Sequence, residues 1–348
     1  MQANRARHVL LHAPSIHTGG GLELLKVLLT ACSSSFDVLL LDQRIKDSFA
    51  LPQGADVHWV KKTVAARLYA EWQLFRQCSS EDTVLCFHGL PPLFVLRGRV
   101  TVFVQNRILL ESGSLAAYPL VTRIRLFIER IWVRRMRRHG KRYLVQTSSM
   151  AVAARKCLGL DVDIVEQAFV PLDHMDLLVK NSIPAAKRTD FLYVSSGEAH
   201  KNHVNLLEAW RLLAEAGLKP SLTLTVSPDA YPFLASEIAR YVRQFGLNIV
   251  NDGHVPKGHI HSLYLSSTAL IFTSFLESFG LPLIEASQLG LPVIAPELDY
   301  VRDVIQPAET FDPSSPLSIS RAVRRFLRQP EPAARIGTAE QFLAVVLR

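Results

Sequence analysis

The amino-acid sequence predicts an α/β fold made of two similar domains. Short apolar runs alternate along the chain with longer stretches of helical periodicity, which is the pattern of repeated strand and helix units around a largely parallel sheet. With 348 residues, 49% of them hydrophobic, the chain can fill two cores of ordinary domain size. The alternation restarts after Phe169-Val170-Pro171, so we expect an N-terminal domain of residues 1–168 and a C-terminal domain of residues 169–348.

The apolar runs give the order of the predicted strands. In the first half they are residues 8–12, 37–41, 83–87, 101–104 and 143–147, and in the second half residues 191–194, 222–226, 248–250, 269–273 and 292–295. Helical periodicity is clearest at residues 22–29 and 149–157, where Gly159 provides a stop signal. A last helix is predicted near residues 341–346, and the sequence leaves open whether it packs back on the first domain.

Composition and charge exclude several classes of protein. Lys and Arg number 39 against 31 Asp and Glu, a formal charge of +8, which favours a phosphorylated ligand, an anionic membrane surface or another polyanion as partner. No apolar run approaches the length of a membrane span. The four cysteines lack CxxC pairing, so neither a zinc site nor a disulfide framework is indicated, and a reducing cytoplasm fits the chain.

The most informative stretch is a strand, loop and helix start at residues 271–286. The buried strand ends at Ser274, and Pro282 stands where the beginning of a helix tolerates the missing N–H. The free N–H groups around Gly280 and Leu281, with the helix dipole behind them, would favour an anion such as a diphosphate.

Two carboxylates accompany this helix start. Glu277 is placed on the loop and Glu285 in the first turn of the helix, with seven residues between them. Both could face a cleft and accept hydrogen bonds from sugar hydroxyls. Alternatively, Glu285 merely complements the helix dipole and Glu277 is solvated, and spacing alone does not choose between these interpretations.

The motif resembles the Glu-x(7)-Glu motif of the retaining glycosyltransferases of family 4, the glycosyl transferases group 1. Residues 285–296 are similar to that family's helix, glycine turn and next strand, residues 193–202 to its phosphate-contacting segment, and residues 253–264 to its donor-base region. The resemblance implies the GT-B architecture, in which two Rossmann-like domains face each other across a nucleotide-sugar cleft. It also implies no cofactor and no metal beyond the nucleotide-diphosphate sugar as co-substrate.

The resemblance assigns roles in the second half residue by residue. Lys201 would contact the donor diphosphate, Glu277 the hydroxyls of the transferred sugar, Glu285 the nucleotide ribose, and His254 would lie in the base region. Ser274, Gly280 and Leu281 would also belong to the donor-binding site. An ordinary surface lysine remains the alternative for Lys201. Ser196 stands where the family often has arginine, so the usual second cation on the diphosphate is missing, and another basic residue, the Ser196 hydroxyl or nothing would replace it.

Residues of the first half are weaker candidates. Gly20 belongs to a glycine run after the first strand, and the family has a glycine-rich loop there, although the run could simply shape a turn. His88 ends another strand, where ligand sites of α/β sheets form; it would touch the donor sugar, or is simply packed or solvated. Gln105 and Asn106 follow a further strand and could meet the acceptor.

A basic, partly apolar stretch runs from Arg123 to Arg142 and includes Arg134 and Arg135. It predicts an amphipathic cationic helix of the kind that docks on anionic lipid. Nucleic-acid binding or a core-packed helix with a solvated arginine face would give the same pattern, and nucleic acid is the least favoured of these partners.

These features together predict a retaining, metal-independent hexosyltransferase that moves a sugar from a nucleotide-diphosphate sugar to a hydroxyl of a glycan. The expected acceptor is a lipid-linked oligosaccharide of bacterial surface polysaccharide (O-antigen or capsule) synthesis. The expected location is the cytoplasm, peripheral on the inner face of the membrane. The alternatives are a glycosyltransferase with a soluble acceptor and a catalytically weak sugar-nucleotide-binding or regulatory protein.

Overall fold

Two separate parallel β-sheets organise the chain. A computed structural model describes residues 8–48, 51, 54–170 and 187–332, together with residues 338, 339 and 345. Part of the expected domain boundary, and the expected last helix near 341–346 except Val345, lie outside the described residues.

Among the described residues, the first sheet has seven parallel strands. They are β1 (Val9–Ala13), β2 (Val38–Asp42), β3 (Asp56–Val60), β4 (Thr83–Cys86), β5 (Arg99–Phe103), β6 (Arg142–Val145) and β7 (Asp163–Glu166). Their spatial order is β3-β2-β1-β4-β5-β6-β7, with Leu10 of β1 opposite Val38 on one side and Val84 on the other. This is the strand order of a doubly wound Rossmann-type sheet.

The second sheet repeats the same winding with six parallel strands. They are β8 (Thr189–Tyr193), β9 (Leu222–Leu224), β10 (Ile249–Asn251), β11 (Ser267–Ile271), β12 (Val293–Pro296) and β13 (Glu309–Phe311). The order is β10-β9-β8-β11-β12-β13. The two sheets confirm the predicted α/β class and its repetition along the chain.

Eleven helices connect the strands within the described ranges. They are α1 (Gly19–Ala31), α2 (Val64–Gln77), α3 (Arg107–Leu110), α4 (Leu120–Arg135), α5 (Ser148–Leu158), α6 (His203–Glu215), α7 (Pro232–Phe245), α8 (Lys257–Leu265), α9 (Leu281–Gln288), α10 (Asp299–Arg302) and α11 (Pro316–Phe326). Among the described residues, no helix combines the length and the apolarity that crossing a bilayer demands.

The alternation of side chains along the first sheet separates two cores. Leu10 belongs to a cluster with side chains of α2, α4 and α5. Its neighbour Leu11 belongs to a second cluster, with side chains of α1. Since successive side chains of a strand point to opposite faces, α2, α4 and α5 cover one face of this sheet and α1 covers the other.

Of the four edge strands in the two sheets as described, the sequence predicted β10 but not β3, β7 or β13. β3 and β7 flank the first sheet and β13 ends the second, and most of their side chains are only partly buried. An edge strand needs fewer apolar residues than a central one, so its apolar run is short. The central strands β1, β2, β8 and β11, which are buried almost throughout, were all predicted.

Two helix predictions need correction. Helix α1 begins at Gly19 and not at Leu22, so the glycine run forms its first turn although glycine is a poor helix former. The basic stretch 123–142 is not one helix: α4 ends at Arg135, a 3₁₀ turn spans Arg137–His139, and Arg142 begins β6.

In each sheet the chain reverses its winding direction between two central strands. These are β1 and β4 in the first sheet and β8 and β11 in the second. Ligands of open α/β sheets bind in the crevice beyond the carboxyl ends of such strands. The segments that leave these four strands carry Gly20, His88, Lys201 and Glu277.

Polar contacts join the two units at four places along this crevice. Glu23 and Lys257 form an ion pair of 2.8 Å, and the Tyr118 hydroxyl lies 3.0 Å from His200 Nδ1. The Ser278 hydroxyl donates to the carbonyl of Gln105 over 2.7 Å, and the N–H of Ser149 donates to Asp303 over 2.9 Å. The carboxyl ends of both sheets therefore face each other.

Asn202 fixes the loop that leaves β8. Its backbone is left-handed, with φ 63°, a conformation that asparagine tolerates better than most residues. Its buried side-chain amide donates to the carbonyls of Thr273, over 3.1 Å, and Pro313, over 2.7 Å. One residue thus ties the loops after β8, β11 and β13 together.

Replacing Asn202 by alanine should lower the free energy of unfolding by about 2–4 kcal/mol. The buried Thr273 carbonyl loses its side-chain donor, the Pro313 carbonyl loses one of its two donors, and alanine is held in left-handed backbone. Asn205 donates to the same Pro313 carbonyl over 2.9 Å from a less buried position, so Asn205→Ala is the matched control, with an expected loss of about 1 kcal/mol. Urea unfolding followed by circular dichroism measures both, and equal losses would contradict the role of Asn202.

Candidate functional site

Lys201 and Glu277 form an ion pair at the centre of the crevice. Lys201 ends a 3₁₀ turn (Ala199–Lys201) after β8, and Glu277 lies in the loop after β11. The Lys201 Nζ is 2.6 Å from Glu277 Oε1, and the two side chains are only 17% and 12% exposed. Burial by itself would lower the pKa of Lys201, but the adjacent Glu277 carboxylate outweighs it and the pKa is raised above its ordinary value.

Backbone contacts hold these two loops in position. The carbonyl of Lys201 accepts hydrogen bonds from the Tyr193 hydroxyl, at 2.6 Å, and from the Thr273 hydroxyl, at 3.0 Å. The N–H of Phe275 donates to the carbonyl of His200 over 2.8 Å. The charged pair is therefore mounted on two loops that are bonded to each other.

Ser274, a predicted donor-binding residue, is fully buried. Its hydroxyl lies 3.4 Å from that of Tyr193, and its carbonyl accepts from the Tyr300 hydroxyl over 2.7 Å. The structure places the Ser274 side chain inside the second unit, where it holds the end of β11.

Glu285 lies further along α9 than predicted. Because α9 begins at Leu281, Glu285 is its fifth residue and not a member of the first turn. Its carboxylate accepts a hydrogen bond of 2.9 Å from the buried Tyr264 hydroxyl. Burial raises the pKa of Glu285, while the Tyr264 bond and nearby Lys257 act in the opposite direction. One carboxylate oxygen is therefore oriented by Tyr264, and the helix dipole is not what holds this residue.

Gly280 and Leu281 form the start of α9 opposite the first unit. Gly280 has φ +71°, which glycine adopts without strain, and Pro282 is the second residue of the helix. A Cβ placed on Gly20 would come 3.1 Å from Leu281 Cδ1. The glycine turn of α1 thus lets the two units approach closely beside the N–H groups of α9.

Ser196 does not stand free at the phosphate-facing loop. Its hydroxyl donates in a very short contact to Glu198. Burial first, and then the negative charge of Glu198, raise the pKa of Tyr231 to about 12. The position that often carries arginine in the family therefore has an acidic neighbour here. No second cation is supplied by this segment.

His88 is engaged within the first unit by both ring nitrogens. Nδ1 lies 3.0 Å from the carbonyl of His12, and Nε2 lies 2.6 Å from the Arg67 guanidinium. The pKa of His88 is lowered well below its ordinary value, by burial first and then by Arg67 and His12. The neutral ring therefore donates from Nδ1 and accepts at Nε2. To contact a donor sugar through Nε2, as the resemblance implies, His88 must be released by Arg67.

His88 belongs to a buried cluster that the sequence did not reveal. His12, Glu71 and His88 place ligand-type atoms within 4.8 Å of one another, and neither ring nitrogen of the fully buried His12 has a hydrogen-bond partner. Arg67 donates to Glu71 over 2.9 Å and to His88. A guanidinium thus already supplies the positive charge that a metal would bring. These residues come from β1, α2 and the end of β4, so no spacing rule could have joined them.

The two predicted acceptor residues have internal partners. The Gln105 amide donates to the carbonyl of Phe87 over 2.5 Å, and the Asn106 carboxamide oxygen caps α3 by accepting from Ile108 N–H over 3.1 Å. His254, predicted near the donor base, is exposed after β10. Arg134 and Arg135 are exposed in the last turn of α4.

A cavity of about 860 Å³ lies between the units beside Arg107. Its lining includes Arg107, Arg134, Ser149, Lys156, Asp299 and Arg302. The residues after β5 and β6 form one wall and α10 forms the other. The lining given by the described residues includes none from α1 or α9, and the cavity has the size of a ligand site.

A family model described as glycosyl transferases group 1 matches residues 177–341. The serotype-specific mannosyltransferase WbdA of Escherichia coli is 29% identical over 188 residues, which cover 53% of this chain and 23% of WbdA. The O-antigen chain mannosyltransferase B of Escherichia coli is 28% identical over 159 residues, 43% of this chain and 41% of the relative. The chain thus spans less than half the length of these curated relatives.

Solved structures share the whole two-unit fold. Anabaena Alr3699/HepE, solved in complex with UDP-glucose, has a TM-score of 0.64 and 15% identity, over 92% of this chain and 90% of its own. Sucrose-phosphate synthase of Thermosynechococcus elongatus has a TM-score of 0.64 and 13% identity over the same shares. The apo form of the lipopolysaccharide outer core galactosyltransferase WaaB has a TM-score of 0.58 and 15% identity, over 93% and 90%. The resemblance drawn from the sequence is thus confirmed at the level of group 1: residues 177–341 are similar to the glycosyl transferases group 1, and the two facing sheets have the GT-B fold.

Proposed function

We propose that this chain is a retaining glycosyltransferase that moves a sugar from a nucleotide-diphosphate sugar to a hydroxyl of a glycan acceptor. The observation that carries the proposal is the partly buried Lys201–Glu277 pair of 2.6 Å at the point where the second sheet reverses its winding. A cation for phosphate and a carboxylate for sugar hydroxyls lie side by side there. The solved GT-B neighbour that holds UDP-glucose supports a nucleotide-sugar donor.

Lys201 is proposed to stabilise the leaving diphosphate. An ammonium has three donors, so it can hold Glu277 with one and phosphate oxygens with the others. The N–H groups at the start of α9 add a partial positive charge on the same side. This is electrostatic stabilisation of the leaving group, and it is why we propose a reaction without a metal.

Glu277 and Glu285 are proposed to bind different parts of the donor. Glu277, next to the phosphate cation, would accept hydrogen bonds from the transferred sugar. Glu285 would use the oxygen that Tyr264 leaves free to bind the ribose. Since the relatives are named mannosyltransferases, mannose is the first sugar to test, in nucleotide-linked form.

The acceptor is proposed to enter from the cavity beside Arg107. The lining of this cavity includes Arg107, which directly follows in the chain the two residues predicted to lie on the acceptor side, Gln105 and Asn106. A lipid-linked oligosaccharide of surface-polysaccharide synthesis is the proposed acceptor, in agreement with the O-antigen relative. A soluble glycan acceptor is the alternative.

One observation favours a second candidate, a sugar-nucleotide-binding protein with little turnover. Ser196 is bonded to Glu198, so this loop offers the diphosphate an acidic neighbour in place of a second cation. Calorimetry with UDP, GDP, ADP, CMP and their sugars, followed by product detection with glycan acceptors, separates the candidates. Tight binding without product supports the second one, and a product whose new linkage inverts the donor anomer in NMR rules out retention.

Lys201→Ala should weaken nucleotide-diphosphate binding about 10- to 100-fold, the value of a charge-assisted contact. Isothermal titration with the diphosphate that binds the wild type measures the change. Lys219→Ala, at an exposed position, is the control and should bind normally. Because removal of Lys201 alone leaves a buried carboxylate without its partner, the double variant Lys201→Met/Glu277→Gln distinguishes lost binding from lost folding. Unchanged affinity in both variants would refute the role of Lys201.

Glu277→Gln should reduce the rate of sugar transfer at least about 10-fold while the nucleoside diphosphate still binds. The amide keeps the size of the side chain but loses the charge that strengthens its hydrogen bonds to hydroxyls. Initial rates of diphosphate release measure the effect. Glu297→Gln, an exposed carboxylate in the loop after β12, is the control. An equal loss of nucleotide and of nucleotide-sugar affinity would show that Glu277 does not recognise the sugar.

Glu285→Gln should raise the unfolding temperature at pH 8 while weakening nucleotide binding about 10-fold. Burial raises the pKa of Glu285 in the folded protein, so folding favours its protonated form, and its contribution to stability is lost as pH rises through that raised pKa. The stability difference between variant and wild type should therefore shrink toward pH 4. Thermal unfolding from pH 4 to pH 8 tests this, and a variant less stable than wild type at pH 8 would contradict it.

A further inference from the structure

The outer sides of α2 and α4 present an unusually large exposed apolar surface. On α4, Val121 is 81% exposed, Phe127 60% and Ile128 55%, and on α2, Trp72 is 47% exposed. We call this surface the α2–α4 face. Its exposed apolar members are Val64, Leu68, Tyr69, Trp72, Phe75, Phe94, Val95, Leu120, Val121, Ile124, Phe127, Ile128 and Ile131.

These residues lie on helices that cover the same side of the first sheet. The inward residues Leu74 of α2 and Leu126 of α4 belong to one core cluster. The segment between β4 and β5 links the helices, since Phe94 packs on Phe75 with ring centroids 5.4 Å apart. In addition, the Arg67 guanidinium of α2 lies 5.6 Å from the Trp132 ring of α4. The exposed apolar residues therefore lie on neighbouring elements on one side of the sheet.

On both helices, the exposed apolar residues are spaced so that they lie on one side of the helix. Exposed apolar residues recur on α2 at 64, 68, 72 and 75 and on α4 at 121, 124, 128 and 131, the interval that places residues on one side of a helix. Each helix also has a separate buried side. A soluble surface helix normally has polar residues where these two have apolar ones, and exposed patches of this size mark interaction sites.

Charge around the face is of one sign. The carboxylates in α2, in α4 and in residues 88–98 are Glu71, which is 1% exposed, and Glu129, which is partly buried. The arginines are exposed at Arg76, Arg97, Arg123, Arg125, Arg134 and Arg135. An apolar face flanked by cations, with both carboxylates withdrawn, complements an interface of acyl chains and anionic headgroups.

We propose that the α2–α4 face docks on an anionic lipid surface, with the apolar side chains of both helices in the headgroup boundary and the arginines on lipid phosphates. The cationic stretch near Arg134 and Arg135 is therefore only one half of the contact, and α2 supplies the other. Long arginine side chains can reach headgroups while their stems lie along apolar neighbours. This inference does not depend on the proposed sugar transfer, because docking needs neither donor nor acceptor.

Vesicle flotation of the full chain tests the proposal. The probes are vesicles of 30% phosphatidylglycerol in phosphatidylcholine and vesicles of phosphatidylcholine alone. The wild type should float with the anionic vesicles and at least tenfold less with the neutral ones. The variant Leu68→Asn/Trp72→Asn, which changes α2 only, should lose at least tenfold of the bound fraction, as should Ile124→Asn/Ile128→Asn on α4.

A matched control removes exposed apolar residues elsewhere. Val204 and Phe233, 66% and 81% exposed on the second unit, are replaced by asparagine, and this variant should float like the wild type. Unchanged flotation of either face variant overturns the two-helix contact. Light scattering tests whether a second copy of the chain occupies the face instead of lipid. If the wild type does not float and is a dimer that becomes monomeric in the face variants, a second copy covers the face. Circular dichroism spectra that match the wild type confirm that the variants are folded.

Discussion

The contact between Lys201 Nζ and Glu277 determines how the rest of the crevice is arranged. Both charges are removed from most of the solvent, and neither could remain there alone without a large cost in desolvation. The loops after β8 and β11 must therefore stay together, and the hydrogen bonds of Tyr193, Thr273 and Asn202 to their backbones accomplish this. What looks in the sequence like two separate motifs is, in the folded chain, a single charged unit on a common support.

The remaining polar groups of the crevice are less available than their positions along the sequence indicate. Asn106 caps a helix, Ser274 is enclosed, and His88 is held between a carbonyl and a guanidinium. By contrast, Glu285 has one oxygen oriented by Tyr264 and another left over. The distinction between a side chain that supports a loop and one that can meet a ligand arises from three-dimensional partners, which spacing does not contain.

The sequence was sufficient for the α/β class, the repeated domain, the central strands and the chain order of the loops that carry Lys201, Glu277 and Gly280. These features depend on local apolar runs and on turn residues, which are written in contiguous sequence. Edge strands such as β3 and β13 escaped because partial exposure weakens their apolar signal. The His12–Glu71–His88 cluster escaped for a different reason: its members meet only through the crossover between β3 and β4. The α2 half of the exposed face escaped because burial, and not composition, distinguishes an outward tryptophan from a core one.

The bond from the Ser149 N–H to Asp303 has a consequence for movement of the two units. Ser149 is the second residue of α5, so a carboxylate of the second unit sits at the positive end of a helix of the first. Separating the units returns that helix end to water and forfeits about 0.3–1 kcal/mol of charge–dipole stabilisation. A contribution of this size multiplies the ratio of joined to separated forms by about two to five at room temperature. It therefore favours the joined form without preventing separation. The charge–dipole energy at the start of α5 is therefore present only when the crevice is closed, and it is small enough for thermal motion to overcome.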